Sequence, residues 1–293
     1  MKALVTALSM AAVLGAASSV GGADGPWTAV DSALGREGRD LPGEVRKYGF
    51  PRSDLHVTAR GVAIEAPLAL GSWAAFHAAA EGSMVMGDLV LLPAELNPVI
   101  RRLHEGGLEI GAIHNHLAGE QPQVLYVHFS GMGPAEALAG ALRGALDLTK
   151  TPMGAPRPAA PLSAAQHQAF EALQAALGRK GAMAGRVLQV SVPRSDHIEE
   201  AGMEIPPAMG MAIALNFQTA GTRIATTGDF VLTADEVNPV VRELQARGID
   251  VTALHSHMLR ETPRLFFLHF WGVGTPEKIG EGLKAALSKI AAK

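Results

Sequence analysis

The sequence predicts a duplicated α+β protein with two tandem homologous domains, each an antiparallel or mixed sheet with helices packed on one face. The first observation behind this prediction is internal repetition: from His56 and His197 onward, matched motifs recur at a constant offset of 141 residues. A period of that length indicates two whole domains rather than a solenoid of short units. The second observation is that strand-like and helical segments follow one another in the same order in both copies, which is typical of helices gathered on one side of a sheet.

Each copy has the same succession of predicted elements. A short first helix ends at Gly35, because glycine readily takes the left-handed conformation that closes a helix. The second helix has a capping-box signature in the second copy, formed by Thr233 and Glu236; a later start, at Asn97 with Pro in the next position, is the alternative. In the first copy the predicted strands are residues 56–64, 70–75, 84–92, 108–116 and 124–129, and the predicted helices are residues 30–34, 93–107 and 136–148.

The N-terminal residues have the layout of a secretory signal peptide. Lys2 precedes an apolar stretch of about a dozen residues, and small residues follow up to Ala23, near which cleavage is expected. The sequence therefore predicts a periplasmic or secreted protein without stable membrane insertion after cleavage; an uncleaved N-terminal anchor is the alternative. The expected divisions are residues 1–23 as signal peptide, 24–150 as the first repeat domain, 151–162 as a linker, and 163–293 as the second repeat domain.

Composition narrows the classes of partner. The chain has 48% hydrophobic and 18% charged residues and a net charge of only −3, with no basic segment, so nucleic acid is not an expected partner. Aromatic residues make up 5%, which also argues against a surface that stacks bases. The sequence contains no cysteine, so a metal in this protein must be bound by nitrogen and oxygen atoms.

The strongest functional signal is a histidine pattern that occurs twice. Residues 114–128 read HNHLAGEQPQVLYVH, and residues 255–269 read HSHMLRETPRLFFLH. Eight of the eleven histidines stand at matched positions in the two copies, although most of their neighbours differ. The predicted metal ligands are His114, His116, Glu120 and His128 in the first copy and His255, His257, Glu261 and His269 in the second.

A hairpin can bring the three histidines of one copy together. His114 and His116 point to the same face of a strand because their positions differ by two. If the register pairs Ala112 with His128 and His114 with Tyr126, all three imidazoles lie on one face of the sheet. A slip of one residue would send His128 to the opposite face and separate it from the other two.

The residue types suit a divalent transition metal, with zinc first and copper, manganese, iron or nickel as alternatives. Glu120 and Glu261 lie in the loops, where each is a candidate ligand, a candidate general acid or base beside the metal, or a solvated carboxylate. A metal-free cluster that binds an acidic or sugar-like ligand, and purely structural histidines, are the competing interpretations. Asp88 and Asp229 rank lower, as turn caps or as groups that orient a ligand histidine. His56 and His197 are candidates to join the cluster from a neighbouring strand.

Several segments resemble the LppY/LpqO family. They are GFPRSD at 49–54, LGSWAAF at 70–76, VMGDLVL at 85–91 and AIHNHL at 112–117. The resemblance extends over nearly the whole chain after residue 23 and implies an exported bacterial protein; it carries over no known reaction. Many members are lipoproteins, but this chain lacks the cysteine that a lipoprotein needs, so a soluble periplasmic protein is the expectation.

Three functions are consistent with these features. The first is an exported metal-binding protein with one hairpin site per repeat, used in metal handling or sensing. The second is a metal-dependent hydrolase or oxygenase that acts on a small cell-envelope molecule, and the third is a ligand-binding module without metal. Retention of both histidine sets favours binding, or a joint two-metal centre between the domains. The expected partners are a metal ion and, for the second and third functions, a small-molecule or cell-envelope ligand.

Overall fold

The computed structural model describes residues 27–79, 82–154 and 158–291. It contains two homologous α+β domains, repeat 1 (residues 28–146) and repeat 2 (residues 164–287), each with an antiparallel sheet and helices, so the predicted fold class is confirmed. The predicted signal peptide, residues 1–23, lies outside the described residues, as does part of the predicted linker. None of the helices in the described ranges is long and apolar enough to cross a membrane.

The helices and strands correspond one to one between the repeats, apart from one short helical turn. In repeat 1 they are α1 (Thr28–Leu34), β1 (Arg39–Leu41), β2 (Val45–Pro51), β3 (Thr58–Ala59), β4 (Val62–Ala63), α2 (Ala66–Ala69), β5 (Gly71–Ala79), β6 (Gly82–Leu91), α3 (Pro93–Glu105), β7 (Glu109–His114), β8 (Glu120–Gln121), β9 (Leu125–Gly133) and α4 (Ala135–Leu146). In repeat 2 they are α5 (Ala164–Leu177), β10 (Ala182–Ala184), β11 (Val187–Pro193), β12 (Glu199–Glu200), β13 (Met203–Glu204), a 3₁₀ helix (Pro207–Met209), β14 (Ala212–Ala220), β15 (Arg223–Leu232), α6 (Ala234–Ala246), β16 (Asp250–His255), β17 (Glu261–Thr262), β18 (Phe266–Gly274) and α7 (Pro276–Leu287).

The large sheets of the two repeats have the same topology. Strand order is β1-β2-β5-β6-β9-β7 in repeat 1 and β10-β11-β14-β15-β18-β16 in repeat 2. Each repeat also has a small sheet of two-residue strands, β4-β3-β8 or β13-β12-β17. The single strand predicted over residues 56–64 is wrong: the chain forms the short pair β3 and β4, joined by a two-residue turn in which Arg60 and Gly61 both have positive φ.

Alternation along the strands gives each large sheet two different faces. In β6, Val85 and Leu89 join a core with the helices of repeat 1, whereas Met84 and Met86 join a core made mostly of repeat 2 residues. Helices α1, α3 and α4 pack on the first face. The second face of each sheet is turned toward the other repeat, so the layers run helix, sheet, sheet, helix.

Short helical segments of each repeat pack on the sheet of the other. On the sheet of repeat 2, the side-chain amide of Gln189 donates a hydrogen bond to the carbonyl oxygen of Pro67 in α2 at 3.0 Å. In the reciprocal position, the ammonium group of Lys47 donates to the carbonyl oxygen of Ala208 in the 3₁₀ helix at 3.3 Å. These reciprocal contacts fix the two sheets face to face.

The second helix of each repeat begins at the first of the two predicted starts. α3 begins at Pro93 rather than at Asn97, and α6 begins at Ala234. In both helices the glutamate of the first turn reaches back to the preceding backbone; Glu95, for example, accepts a hydrogen bond from the N–H of Leu92 at 2.8 Å. That bond satisfies one of the donors that a helix start leaves open.

The matched Pro-Arg-Ser-Asp motif has a structural role. Arg52 is fully buried, and its guanidinium pairs with Asp54 at 2.9 Å and with Glu95 at 2.7 Å, while it also donates to the carbonyl oxygen of Val90. Arg194 makes the equivalent bonds in repeat 2. Because a buried charge without partners is costly, this network ties the end of each central strand to the start of the following helix.

Candidate metal centre

Each histidine hairpin has the register that brings its three histidines to one face. Ala112 lies opposite His128 and His114 lies opposite Tyr126, which is the register that the predicted site requires. Repeat 2 has the same register, with Ala253 opposite His269. In both repeats the imidazoles lie on the sheet face that is turned toward the other repeat.

The six histidines of the two repeats converge on one centre, where their rings stack in pairs across the interface. Tyr126 stacks on His116 and Phe267 stacks on His257, each with ring centroids 3.5 Å apart. Each of these two histidines therefore lies between an aromatic ring of its own repeat and a histidine of the other repeat. The three inter-repeat pairs, with the distances between ring centroids, are His114–His255 at 3.6 Å, His116–His269 at 3.8 Å and His128–His257 at 3.5 Å.

Two overlapping groups of metal-ligating atoms lie in this centre, and within each group the atoms are all within 4.8 Å of one another. The groups are His114, His116 and His128, and His114, His255, His257 and His269. His114 belongs to both. The histidines of the two hairpins therefore share one inter-repeat centre rather than occupying two separated places.

The Nε2 atoms of all six rings are buried and have no hydrogen-bond partner among the described residues. In three rings the backbone fixes the orientation. Nδ1 of His269 donates to the carbonyl oxygen of Gly228 at 2.9 Å, and Nδ1 of His114 and of His255 donate to the carbonyl of the following residue at 3.2 and 3.3 Å. A neutral ring with its proton on Nδ1 carries its lone pair on Nε2, which is the arrangement of a metal-binding histidine.

Two carboxylates that the sequence ranks low lie beside the histidines. Asp88 is opposite His128 on the neighbouring strand, and its Oδ2 lies 3.8 Å from Nε2 of His128 and 3.7 Å from Nε2 of His116. Asp229 occupies the equivalent place, 3.7 Å from Nε2 of His257. Oδ1 of each has no hydrogen-bond partner within the described residues. Neither residue is a turn cap, because both lie inside long strands, and both are candidate ligands.

Burial controls the protonation of the centre. It lowers the pKa of His114 to about 3 and that of His255 to about 4, and it holds the pKa of the other four imidazoles well below the usual value. Burial also raises the pKa of Asp88 to about 7 and the pKa of Asp229 well above the usual carboxyl value. A low-dielectric site favours these neutral forms. A divalent cation would favour the ionised carboxylates and coordinate the neutral imidazoles.

Glu120 and Glu261 lie in the short strands β8 and β17 rather than in loops, and they belong to neither group of ligand atoms found in the described residues. Oε1 of Glu120 accepts a hydrogen bond from the N–H of Val124 at 3.4 Å, and Oε1 of Glu261 accepts one from the N–H of Leu265 at 3.1 Å. Glu261 also pairs with Arg264 at 3.0 Å. Both carboxylates are buried, and each holds its own loop through a bond to the backbone four residues on.

The remaining matched pair of histidines lies away from the centre. His56 is exposed, and His197 is exposed with its ring 2.9 Å from Glu199. Neither is in the groups of ligand atoms identified in the described part of the chain. The short strands β3 and β12 that follow them belong to the small sheets, which separates both rings from the histidine face.

These features define a class of protein: a duplicated α+β fold with a histidine-rich site between its repeats. A family model described as Domain of Unknown Function (DUF1259) matches residues 28–148 and 171–289, once in each repeat, and the chain belongs to this family. No curated protein matches the sequence. One solved structure, a trimeric bacterial microcompartment shell protein PduB, aligns over 84% of this chain and 88% of that chain with 13% identity and a TM-score of 0.19. A TM-score this low bears on neither fold nor function.

Proposed function

We propose that this protein binds a divalent transition metal at a centre shared by its two repeats. The observation that carries the proposal is the set of six buried Nε2 atoms without hydrogen-bond partners in the described residues, on the histidines that form the two groups of ligand atoms. Each buried polar atom without a partner costs about 1–3 kcal/mol. Six such atoms represent a cost comparable with the whole stability of a typical domain, about 5–15 kcal/mol. A cation removes that cost for each nitrogen that coordinates it.

Zinc is the metal that we propose for this centre. Imidazole nitrogen and carboxylate oxygen suit zinc, as they also suit copper, iron, nickel and manganese, and the chain offers no thiolate that would favour a softer ion. Asp88 and Asp229 supply two negative charges when ionised, which balance one divalent cation. Because His114 belongs to both groups of ligand atoms, the two hairpins act together rather than as independent sites.

The proposed place of action is the periplasm or the exterior of the cell. Support comes from residues 1–23, which have the layout of a signal peptide, and from the motifs that resemble the exported LppY/LpqO family, in which we place the duplicated domain. A metal centre enclosed by two packed repeats suits retention of an ion better than rapid exchange. The proposed role is therefore metal handling or sensing in the envelope.

Metal analysis of untagged protein tests the proposal directly. Inductively coupled plasma mass spectrometry is applied to the wild type, to His114→Ala, which lacks the ring common to both ligand groups, and to His104→Ala, which lacks an exposed histidine of α3. We expect the wild type to retain metal, His114→Ala to lose most of it, and His104→Ala to match the wild type. Loss of a ligand should weaken binding by more than the roughly 10–100-fold that loss of a supporting residue costs.

Stability measured with and without metal is a second readout. Chelator-treated protein should gain unfolding free energy when zinc is restored, by about 2.7 kcal/mol at a free concentration of 100 times Kd. The gain should be absent in His114→Ala at the same zinc concentration. Wild-type protein that contains no metal and is stabilised by none of zinc, copper, manganese, iron and nickel would refute the proposed function.

A further inference from the structure

A cleft in repeat 1 lies close to the histidine centre. It encloses about 630 Å³, which is within the range of about 300–1,000 Å³ that small-molecule sites occupy. The cleft is bordered by the turn after α1, by β2 and by residues 153–154. The side chains that matter for its chemistry are Arg36, Glu37, Arg39, Lys47, Tyr48 and Trp73.

The cleft is positively charged although the chain as a whole is slightly negative. Three basic residues and one acidic residue line it, whereas the net charge of the chain is −3. Arg36 is engaged by the backbone, since its guanidinium donates to carbonyl oxygens that include that of Gly154 at 3.0 Å. Arg39 has no side-chain hydrogen bond or ion pair among the described residues, and Lys47 makes one hydrogen bond, which leaves two of its three ammonium donors for a ligand.

Lys47 is held in place at the wall of the cleft. Its Nζ lies 3.9 Å from the centroid of the Trp73 ring and 3.3 Å from the carbonyl oxygen of Ala208. Burial, and then the neighbouring charge of Arg39, lower the pKa of Lys47 to about 8, and the charge of Asp88 opposes this shift only in part. A poorly solvated ammonium group beside a second cation gains more from a bound anion than a hydrated surface lysine does.

The cleft and the metal centre have a wall in common. Trp73 lines the cleft and also lines a small cavity of about 20 Å³ that His128 and His257 border. Trp73 is opposite Asp88 in the pairing of β5 with β6, and Asp88 is opposite His128 in the pairing of β6 with β9. These three side chains form a row across three neighbouring strands. Because adjacent strands are about 4.8 Å apart, the backbone distance from Trp73 to His128 is about 10 Å.

We infer that the cleft binds a small organic anion through a carboxylate or phosphate group held by Lys47 and Arg39, with the rest of the molecule directed past Trp73 toward the histidine centre. The anion is then a substrate or co-ligand of that centre, and this second part rests on the proposed function. The binding of the anion rests only on the volume of the cleft and its cations.

Calorimetric titration of the full chain tests the cleft with phenyl phosphate and benzoate as anionic probes and with benzyl alcohol as an uncharged one. Lys47→Gln removes the ammonium group and introduces the residue type found at the matching position of repeat 2, so the fold should tolerate it. Arg101→Gln makes the same change of charge on the exposed side of α3 and is the matched control. We expect an anionic probe to bind, with Kd raised about tenfold or more in Lys47→Gln and unchanged in Arg101→Gln.

Two further measurements locate the probe and separate the possible failures. Quenching of tryptophan fluorescence by the anion should largely disappear in Trp73→Phe. The titrations are repeated after removal of metal with a chelator. Metal-containing protein that binds neither anion, or that binds them equally in Lys47→Gln and Arg101→Gln, overturns the inference about the cleft. If the protein binds no metal but binds the anion at Lys47, the inference about the cleft stands and the proposed metal centre is refuted.

Discussion

The two repeats present the same candidate ligands but surround them differently. On the sheet face turned toward the interface, repeat 1 has a lysine and a tryptophan where repeat 2 has a glutamine and an alanine. The amide of Gln189 donates to the carbonyl oxygen of Pro67 in α2, whereas the ammonium group of Lys47 donates to the carbonyl oxygen of Ala208 in the 3₁₀ helix. The pairs at matching positions of the two sheets are Lys47 and Gln189, Arg39 and Ala182, and Trp73 and Ala214. The duplication therefore kept the candidate ligands of the centre and changed the side chains beside them.

A second difference lies where the hairpins meet. Gly111 is so close to repeat 2 that a Cβ atom there would lie 2.1 Å from the carbonyl oxygen of His257. The matching residue is Thr252, whose hydroxyl donates to the carbonyl oxygen of His116 at 2.5 Å. Both residues interrupt the regular pairing of their strands. The repeat 1 hairpin thus contacts repeat 2 through close backbone approach at Gly111, and the repeat 2 hairpin contacts repeat 1 through the hydrogen bond of Thr252.

The largest expected effect concerns a feature that the repeats have in common. Arg52→Ala and Arg194→Ala each leave two carboxylates without their buried partner, so each should lower the free energy of unfolding by about 3–5 kcal/mol. Urea unfolding followed by circular dichroism measures both. Equal losses in a single transition are expected because one hydrophobic core includes residues of both repeats. Two separate transitions, each sensitive to one variant only, would show that the repeats unfold independently.

An intermediate effect should distinguish the two sides of the interface. Gly111→Ala forces backbone apart and should cost about 1–3 kcal/mol, as other cases of overpacking do. Thr252→Ala removes one hydrogen bond and should cost about 1 kcal/mol. Because Gly111 adjoins the backbone of His257, its variant should also weaken metal binding more than Thr252→Ala does. Urea unfolding measures the stability of both variants, and zinc titration measures their affinity for the metal. A larger loss of both stability and affinity in Thr252→Ala than in Gly111→Ala would contradict the greater importance assigned to Gly111.

The smallest effect concerns acid stability and should appear in repeat 1 alone. Asp31 accepts hydrogen bonds from Tyr48 and Arg46, each at 2.6 Å; burial raises the pKa of Asp31, but these bonds outweigh it and lower the pKa below the ordinary 3.8. Its stabilisation is therefore complete above pH 3.8 and is lost as the pH falls through the lower folded value. Asp31→Asn should cost about 1 kcal/mol at pH 7, and this difference should shrink in acid.

The matched control for this prediction is in repeat 2. Gln174 accepts a hydrogen bond from the N–H of Gly181 at 3.0 Å, as Asp31 accepts one from the N–H of Gly38 at 3.2 Å, but its side chain carries no charge. The cost of Gln174→Ala should therefore be the same at pH 7 and pH 3. Unfolding in urea at both values is the measurement, and a constant cost for Asp31→Asn would contradict the assigned role of the carboxylate.

Much of the fold and of each hairpin was predictable because local pattern determines them. Strand alternation and the spacing of His114 and His128 fix the register, and the matched motifs fix the duplication. Asp88 ranks low from the sequence because its glycine neighbour indicates a turn. Its spacing of two from Met86 and Val90 is the feature that places it on the face toward the interface. Local pattern does not determine whether the two hairpins converge, because convergence depends on how one sheet docks on the other. The cleft cannot be predicted from local pattern either, because its walls come from segments of repeat 1 and residues 153–154 that are far apart in the sequence.

The exchanged pairing of the histidine rings has an evolutionary consequence. His116 contacts the counterpart of His128, and His128 contacts the counterpart of His116, while His114 stacks on its own counterpart. This is the reciprocal contact pattern of a twofold-symmetric homodimer. In a homodimer every mutation appears on both subunits, so a one-sided cleft could not arise. Fusion of two copies into one chain removes that restriction: one half can specialise for recognition while both continue to build the centre.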